Sequence, residues 1–199
     1  EVLATPGRPP VVTACEWMGG DLPSVRVENG RGAATAVAHL AQLGHRAIGH
    51  VTGPRGNVLT ESRLEGFRVG LASMGLPLRD DWVLEGDFSM DSGAAAARQW
   101  LALEERPTAL FLASDEMAVG FMGAVQRAGV SVPDDLSVVG FDNIEIAQHL
   151  SPALTTIRQP RTLIGVRAAE LLLDMIDTGT RTGPSDLIEV EFIRRDSVG

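Results

Sequence analysis

The sequence has 199 residues, 44% of them hydrophobic, and a net charge of −9 from 17 basic and 26 acidic residues. This composition is typical of a globular chain rather than a disordered one, and no apolar run reaches the roughly 20 residues of a membrane-spanning helix. The acidic charge argues against direct binding to a nucleic-acid backbone. A single cysteine, Cys15, and the absence of an apolar leader favour the cytoplasm.

Two residue periods alternate along the chain, with glycines between the segments. In chain order, strands are predicted at RPPVVTAC and SVRV near the start, then at 47–53, 81–88, 108–114, 136–142, 153–159 and 186–195. Helices are predicted between them at 30–44, 60–75, 89–103, 115–129 and 160–179. Strands that alternate with helices of this length predict an α/β fold, in which a parallel sheet is covered by helices on both faces.

Small, polar and aromatic residues follow four successive predicted strands. These strand ends are Gly53-Pro54, Gly86-Asp87-Phe88, Ser114-Asp115 and the segment 140–143. Because ligands of open parallel sheets bind beyond the carboxyl ends of the strands, the four segments predict one polar and partly apolar binding edge.

Three charged residues at this edge are open to two interpretations each. Asp115 and Asp142 follow a strand and precede a helical segment, where a carboxylate either caps the helix or faces a ligand. Arg63 is placed in the first turn of a helix that starts near Thr60, where a cation opposes the helix dipole. Such an arginine is either a solvated surface residue or a residue whose several guanidinium N–H donors bind a partner.

Motifs for other chemistries are weak or missing. GRGAAT (30–35) approaches a dinucleotide fingerprint, but Thr35 replaces the third glycine, and a glycine-rich start of a helix is the favoured interpretation. The four histidines lack metal-ligand spacing, and neither a Walker motif nor a G-x-S-x-G elbow is present. The sequence therefore predicts no metal, no cofactor and no catalysis, although an α/β enzyme that modifies a sugar or nucleotide remains a rival hypothesis.

Six segments in order resemble the effector-binding core of lactose-repressor-type (LacI) transcription regulators. The segments are HLAQLGHRAIGHVTGP, SRLEGFRVGL, GDFSMDSG, PTALFLASDEMAVG, VPDDLSVVGFDNIEIAQHLSPALTTIRQP and IGVRAAELLL. The resemblance covers about residues 10–195. It implies a type I periplasmic-binding-protein-like fold with two α/β lobes, three chain crossings, and a small molecule bound in the cleft between the lobes.

The resemblance also implies a division of the chain into lobes. Residues 28–158 with 188–199 would form the second lobe, and residues 1–27 with 159–187 an incomplete first lobe. The helix-turn-helix head would be absent from this chain, which we expect to be a fragment. The family's homodimer contacts would involve 115–128 and 144–150, and Phe121 and Met122 are either dimer contacts or core residues.

Ligand contacts carried over by motif define the predicted site. They are Arg63, Phe88, Ser114, Asp115, Asp142 and Gln159. Carboxylate and guanidinium groups suit sugar hydroxyls, and the aromatic ring suits a sugar face or a base. The predicted function is an effector sensor, for a sugar or purine-like molecule, that controls DNA binding of a homodimer through the missing head and contacts no membrane. The alternative is a solute-binding protein of a sugar transporter. Ser114 and Asn143 depart from the family pattern, which leaves the effector open.

Overall fold

The computed structural model describes residues 9–16 and 22–199. The predicted first-lobe residues 1–8 and 17–21 lie outside the described residues. The strands are β1 (Thr13–Ala14), β2 (Ser24–Val27), β3 (Ile48–Val51), β4 (Val83–Leu84), β5 (Ala109–Leu112), β6 (Ser137–Asp142), β7 (Thr155–Arg158), β8 (Asp186–Ile188) and β9 (Glu191–Ile193). The helices are α1 (Asn29–Gln42), α2 (Val58–Ser73), α3 (Met90–Ala102), α4 (Asp115–Arg127) and α5 (Arg161–Thr178). Short 3-10 helices occupy Asp80–Trp82 and Glu145–His149.

Contacts divide the chain into two compact units, residues 1–28 with 160–189 and residues 29–159 with 190–199. The chain passes from one unit to the other at 28/29, 159/160 and 189/190. In the smaller unit, α5 contacts β1 and β2 of a three-stranded parallel sheet in the order β1-β2-β8. The assignment of these units to the two lobes of the resembled fold stays a prediction.

The larger unit is built on a six-stranded sheet in the order β4-β3-β5-β6-β7-β9, in which only β9 runs antiparallel to its neighbour. One face carries α1 and α2 over a core that includes Leu40, Phe67 and Phe111, and a second core includes residues of α3 and α4 such as Trp100 and Phe121. The α/β prediction, with a mainly parallel sheet, is confirmed. Central strands β3 and β5 are fully buried, as sheets covered on both sides require.

The helix ends follow the sequence signals closely. Ser89 caps α3 by accepting a hydrogen bond from the Ser92 N–H at 3.1 Å. Gly75, Gly129 and Gly179 follow α2, α4 and α5 with positive φ, the conformation that glycine supplies at a helix end.

Glycines in GRGAAT let helices approach closely. A Cβ on Gly32 would lie 2.8 Å from the Phe141 ring and 3.0 Å from Ile157, so α1 packs directly on the sheet. A Cβ on Gly66 would lie 2.1 Å from the Gly30 carbonyl oxygen, where α2 crosses α1. Gly32 of the motif, and Gly66 where it faces Gly30, thus have packing roles.

Two sequence interpretations are corrected, and one open alternative is decided. The predicted strand 186–195 is two strands, because β8 pairs with β2 in the smaller unit and β9 pairs with β7 in the larger one. The predicted strand 81–88 shortens to the two residues of β4, preceded by a 3-10 turn. Of the two alternatives left open for Phe121 and Met122, the core position is observed, because the residues are 0% and 2% exposed within this chain. Among the described residues, no helix combines the length and apolar character needed to span a membrane.

Candidate functional site

The carboxyl ends of β4, β3, β5, β6 and β7 lie along one edge of the larger sheet, called here the carboxyl rim. The strand order reverses at β3, because the chain moves outward to β4 and then returns across β3 to form β5. In open parallel sheets, ligands bind outside the carboxyl ends at such a reversal. The crevice beyond β3 and β5 is therefore the expected ligand position.

Arg63 lies at this crevice with its side chain only 2% exposed. Helix α2 begins at Val58, where Asn57 accepts hydrogen bonds from two backbone N–H groups of the first turn. Arg63 is therefore the sixth helical residue, and the first-turn placement predicted from sequence is wrong. The solvated-surface interpretation is also wrong, because the guanidinium is buried.

Every part of the Arg63 guanidinium is engaged. Nε donates to Asn29 Oδ1 at 2.9 Å, Nη1 donates to the Ala113 carbonyl beyond β5, and Nη2 lies 3.7 Å from Asp142 Oδ1. The guanidinium carbon lies 3.8 Å from the centroid of the Phe141 ring. Because a buried charge needs partners on all sides, this arrangement fixes the plane of the arginine at the rim.

Phe88 covers the end of β3. A Cβ on Gly53 would lie 2.2 Å from the Phe88 ring, so the ring packs on bare backbone, and the Arg63 guanidinium carbon is 5.9 Å from its centroid. Phe88 has φ of 71°, an unfavourable conformation for a bulky residue, and residues strained in this way cluster at functional sites. Next to the same glycine, Thr60 is 5% exposed, and its hydroxyl has no hydrogen-bond partner among the described residues.

Asp142 and Gln159 meet at the ends of β6 and β7. The Gln159 amide donates to Asp142 Oδ1, the same oxygen that faces Arg63. Asp142 and Asn143 have φ of 118° and 52°, so the chain turns sharply at the rim. The Asn143 side-chain oxygen accepts a hydrogen bond from Arg195 at 2.7 Å. Asp142 keeps a 21% exposed side chain, which leaves its carboxylate within reach of a ligand.

Ser114 and Asp115 are buried instead, 3% and 0% exposed. Ser114 caps α4 by accepting from the Met117 N–H at 3.3 Å, so the α4 cap is Ser114 and not Asp115. Asp115 accepts from the Thr156 hydroxyl at 2.6 Å and from the Ile144 N–H at 2.9 Å. Burial raises the pKa of the Asp115 carboxyl to about 7, against the opposing effect of these two hydrogen bonds.

The structure thus brings Arg63, Phe88, Asp142 and Gln159 together and sets Ser114 and Asp115 beneath them. Sequence reasoning missed the partners that hold these groups. They are Asn29, the Ala113 carbonyl, Phe141 and Thr156; the unbonded hydroxyl of Thr60 was missed as well. Position gave a signal for two of them, because Phe141 directly precedes Asp142 and Thr60 lies one helical turn before Arg63.

The opposite edge of the sheet carries two surface cavities of about 360 and 300 Å³. Both are lined by Thr108 and Asp135, and the second also by His45, whose ring nitrogens lie 2.9 Å from the Thr108 and Ser137 hydroxyls. None of the six predicted site residues lines them. Within residues 9–16 and 22–199, no three His, Cys, Asp or Glu side chains cluster as a metal ion would require.

Comparison with known proteins adds three findings. A family model described as a periplasmic binding protein-like domain matches residues 37–198. The HTH-type transcriptional repressor CytR of Escherichia coli strain K12 is 40% identical over 190 residues, covering 95% of this chain and 56% of that repressor. The repressor PurR of Vibrio parahaemolyticus is 43% identical over 145 residues, covering 73% of this chain and 43% of that protein. The chain therefore spans about half the length of these curated relatives.

Solved structures show the same architecture. A LacI family transcriptional regulator from Enterococcus faecium with bound ribose matches with a TM-score of 0.86 and 30% identity, over 96% of this chain and 70% of that one. The transcriptional regulator CelR in complex with cellobiose matches with a TM-score of 0.89 and 33% identity, over 94% of this chain and 58% of that one.

Proposed function

Since the chain belongs to the LacI family of transcriptional regulators, in the part that carries the periplasmic binding protein-like domain, we propose that it is an effector-sensing core. A small polar molecule, a sugar or a purine-like compound, binds at the carboxyl rim. Its binding controls the DNA affinity of a homodimer through a helix-turn-helix head carried elsewhere in a longer protein. DNA is contacted through that head alone, because this chain is acidic.

One observation carries the proposal: a partly exposed carboxylate, Asp142, stands 3.7 Å from the buried Arg63 beside the Phe88 ring. Charge-assisted hydrogen bonds to such a pair suit vicinal hydroxyls, and the ring suits the apolar face of a sugar or the plane of a base. Gln159 adds an amide at the same carboxylate. Thr60 adds a buried hydroxyl that a ligand could satisfy if Phe88 moved, and such unsatisfied groups call for a functional explanation.

Two rival functions fit these observations less well. A catalyst would need an accessible acid or base, and Asp115, whose pKa is raised to about 7, has no exposed surface. A transport-type solute-binding protein would share the rim, but the matched relatives reported above are transcriptional repressors and regulators. The sequence upstream of Glu1 separates the two, since a helix-turn-helix head supports the regulator and an export leader supports the transporter.

The experiment is calorimetric titration of the longer protein with ribose, cellobiose and adenosine, in the parent and in Asp142→Ala. For the compound that binds, we expect affinity to fall at least about tenfold, because a charge-assisted hydrogen bond contributes about 1.5–3 kcal/mol, while the protein remains folded and still binds DNA. The matched control is Asp134→Ala, an exposed carboxylate at the opposite edge of the sheet. A variant that unfolds while the ligand response survives would show that Asp142 is only structural.

A further inference from the structure

The residues at two of the three chain crossings are bonded to the candidate site. Asn29 is the first residue of the larger unit after the crossing at 28/29, and Gln159 is its last residue before the crossing at 159/160. Asn29 is 5% exposed and accepts from Arg63 Nε at 2.9 Å. Gln159 donates to Asp142, which in turn faces Arg63. The four side chains form a continuous polar series within one unit.

We propose that Asn29 is a positioning residue of the site, and that the series Asn29–Arg63–Asp142–Gln159 transmits occupancy of the rim to both crossings. The inference rests on the proposed function and deepens it, because it names how the same site is regulated. Asn29 contacts no ligand in this mechanism. It acts through Arg63.

The chemistry of Arg63 explains why the series is coupled. Its planar fork is fixed between Asn29, the Ala113 carbonyl and the Phe141 ring, so it has little freedom to adjust to a displaced partner. Asp142 Oδ1 serves both Arg63 and Gln159. A ligand hydroxyl that donates a hydrogen bond to this carboxylate competes with the Gln159 amide. A ligand oxygen that accepts a hydrogen bond from the guanidinium competes with Asn29. Each competition changes the restraint on one crossing residue.

A ligand shifts a conformational equilibrium only if it binds the two conformations with different affinity. The coupling supplies such a difference, because the restraint on the crossing residues changes when the ligand binds. A second route exists, because α1 packs directly on β7: a Cβ on Gly32 would lie 3.0 Å from Ile157. The test must therefore separate transmission through Arg63 from transmission through packing.

Hydrogen exchange on the 199-residue chain, without any ligand, makes this separation. Gln159→Ala breaks one end of the series, and exchange is read at the other end, at the amides of residues 33–36, which close the first turn of α1. We expect exchange there to accelerate about fivefold, the factor that corresponds to one lost hydrogen bond. The matched control is Gln126→Ala, which removes an amide donor to the Ser151 carbonyl elsewhere.

The same measurement is repeated in an Arg63→Lys background, which keeps the charge but loses the fork. There, Gln159→Ala should cause no further acceleration at residues 33–36. Unchanged exchange in Gln159→Ala alone, or equal acceleration in both backgrounds, would overturn the proposal in favour of packing or of no coupling.

The positioning role of Asn29 has its own readout in ribose and cellobiose affinity. Asn29→Leu removes the acceptor for Arg63 and should weaken binding about tenfold, whereas Asn29→Asp keeps an acceptor and should restore affinity to within about threefold of the parent. Equal losses in both variants would contradict positioning through this bond. Failure of the parent to bind ribose, cellobiose or adenosine would count against the proposed function alone, because the exchange measurement uses no ligand.

Discussion

Two carboxylates at neighbouring strand ends, Asp115 after β5 and Asp142 at the end of β6, have the same sequence context and opposite surroundings. Asp115 is 0% exposed and bonded on both oxygens, to the Thr156 hydroxyl and the Ile144 N–H. Asp142 is 21% exposed and shares one oxygen between Arg63 and Gln159. One carboxylate anchors the interior, and the other is available at the surface of the rim.

A glycine on the neighbouring strand accounts for much of the difference. Gly140 lies in β6, and a Cβ there would approach Asp115 Oδ1 to 2.2 Å, so the absent side chain makes the space that the buried carboxylate fills. Asp142 is instead the last residue of β6, with φ of 118°, where the chain turns sharply away from the sheet. Strand-end position therefore decides which edge a side chain belongs to, whereas the neighbouring strand decides how deeply it is buried.

The largest expected effect comes from filling the space beside Asp115. Gly140→Ala would also bring a Cβ within 2.9 Å of Leu154, and Asp115 is held from two sides, so neither neighbour can give way. We expect the free energy of unfolding to fall by about 3 kcal/mol, the upper part of the usual range for overpacking. Urea denaturation measures it.

Gly123→Ala in α4 is the matched control, because a Cβ there meets only the flexible end of Arg127 at 3.3 Å. It should be neutral or stabilising by up to about 1 kcal/mol, the difference in helix propensity between alanine and glycine. Equal unfolding curves for the two alanine variants would mean that Gly140 does not create the space for Asp115.

A smaller effect separates the carboxylates directly. Asp115→Leu leaves the Thr156 hydroxyl and the Ile144 N–H without their acceptor in the interior. We expect a loss of about 3 kcal/mol for this variant and about 1 kcal/mol for Asp142→Leu, a difference of about 2 kcal/mol. The Asp142 carboxylate is 21% exposed and 3.7 Å from Arg63, and Arg63 keeps Asn29 and the Ala113 carbonyl as partners without it, whereas Asp115→Leu leaves two donors unsatisfied in the interior. Thermal or urea unfolding of both variants provides the comparison, and a larger loss for Asp142→Leu would reverse the assigned roles.

The sequence was sufficient to predict the parts of this region that depend on local pattern. Periodicity predicted the helices, and Gly75, Gly129 and Gly179 marked three helix ends. The rim followed from the order of strands and helices, because parallel strands place their carboxyl ends together. The division of 186–195 between two sheets was not predictable, since it depends on pairing with β2 and β7, which are distant in sequence.

The burial of the individual side chains at the rim was also not predictable from the sequence. The partners of Asp115 include Thr156, 41 residues away, and those of Arg63 include Asn29, 34 residues away. Neither pairing leaves a periodic trace, because each residue only needs to be polar at one position of its own element. The predicted contacts of Ser114 and Asp115 with a ligand stay predictions, as does the rest of the ligand set.

The smallest expected effect is a pH dependence that belongs to Asp115 and not to Asp142. Burial raises the pKa of Asp115 from 3.8 to about 7, so between these values the native state holds a proton that the unfolded state has lost. Its contribution to stability is fully present below about pH 4 and is lost as the pH rises to about 7. His50 acts in the opposite direction, because burial lowers its pKa from 6.5 to about 4, and its contribution is lost as the pH falls through this range.

The two pH ranges overlap, and the contributions of Asp115 and His50 to stability change in opposite directions there. The parent protein therefore shows only the sum of the two, and a variant must isolate Asp115. In Asp115→Asn the carboxyl no longer titrates, while His50 is unchanged. We expect the stability of the parent relative to this variant to fall by about 1–2 kcal/mol between pH 5 and pH 7, a fraction of the roughly 1.4 kcal/mol per pKa unit that linkage allows. Urea unfolding at pH 5, 6, 7 and 8 measures the difference. The contrast between the two residues fails if the free energy of unfolding of Asp115→Asn varies with pH as that of the parent does, while that of Asp142→Asn does not. In that case Asp142, the carboxylate at the carboxyl rim, is the titrating group.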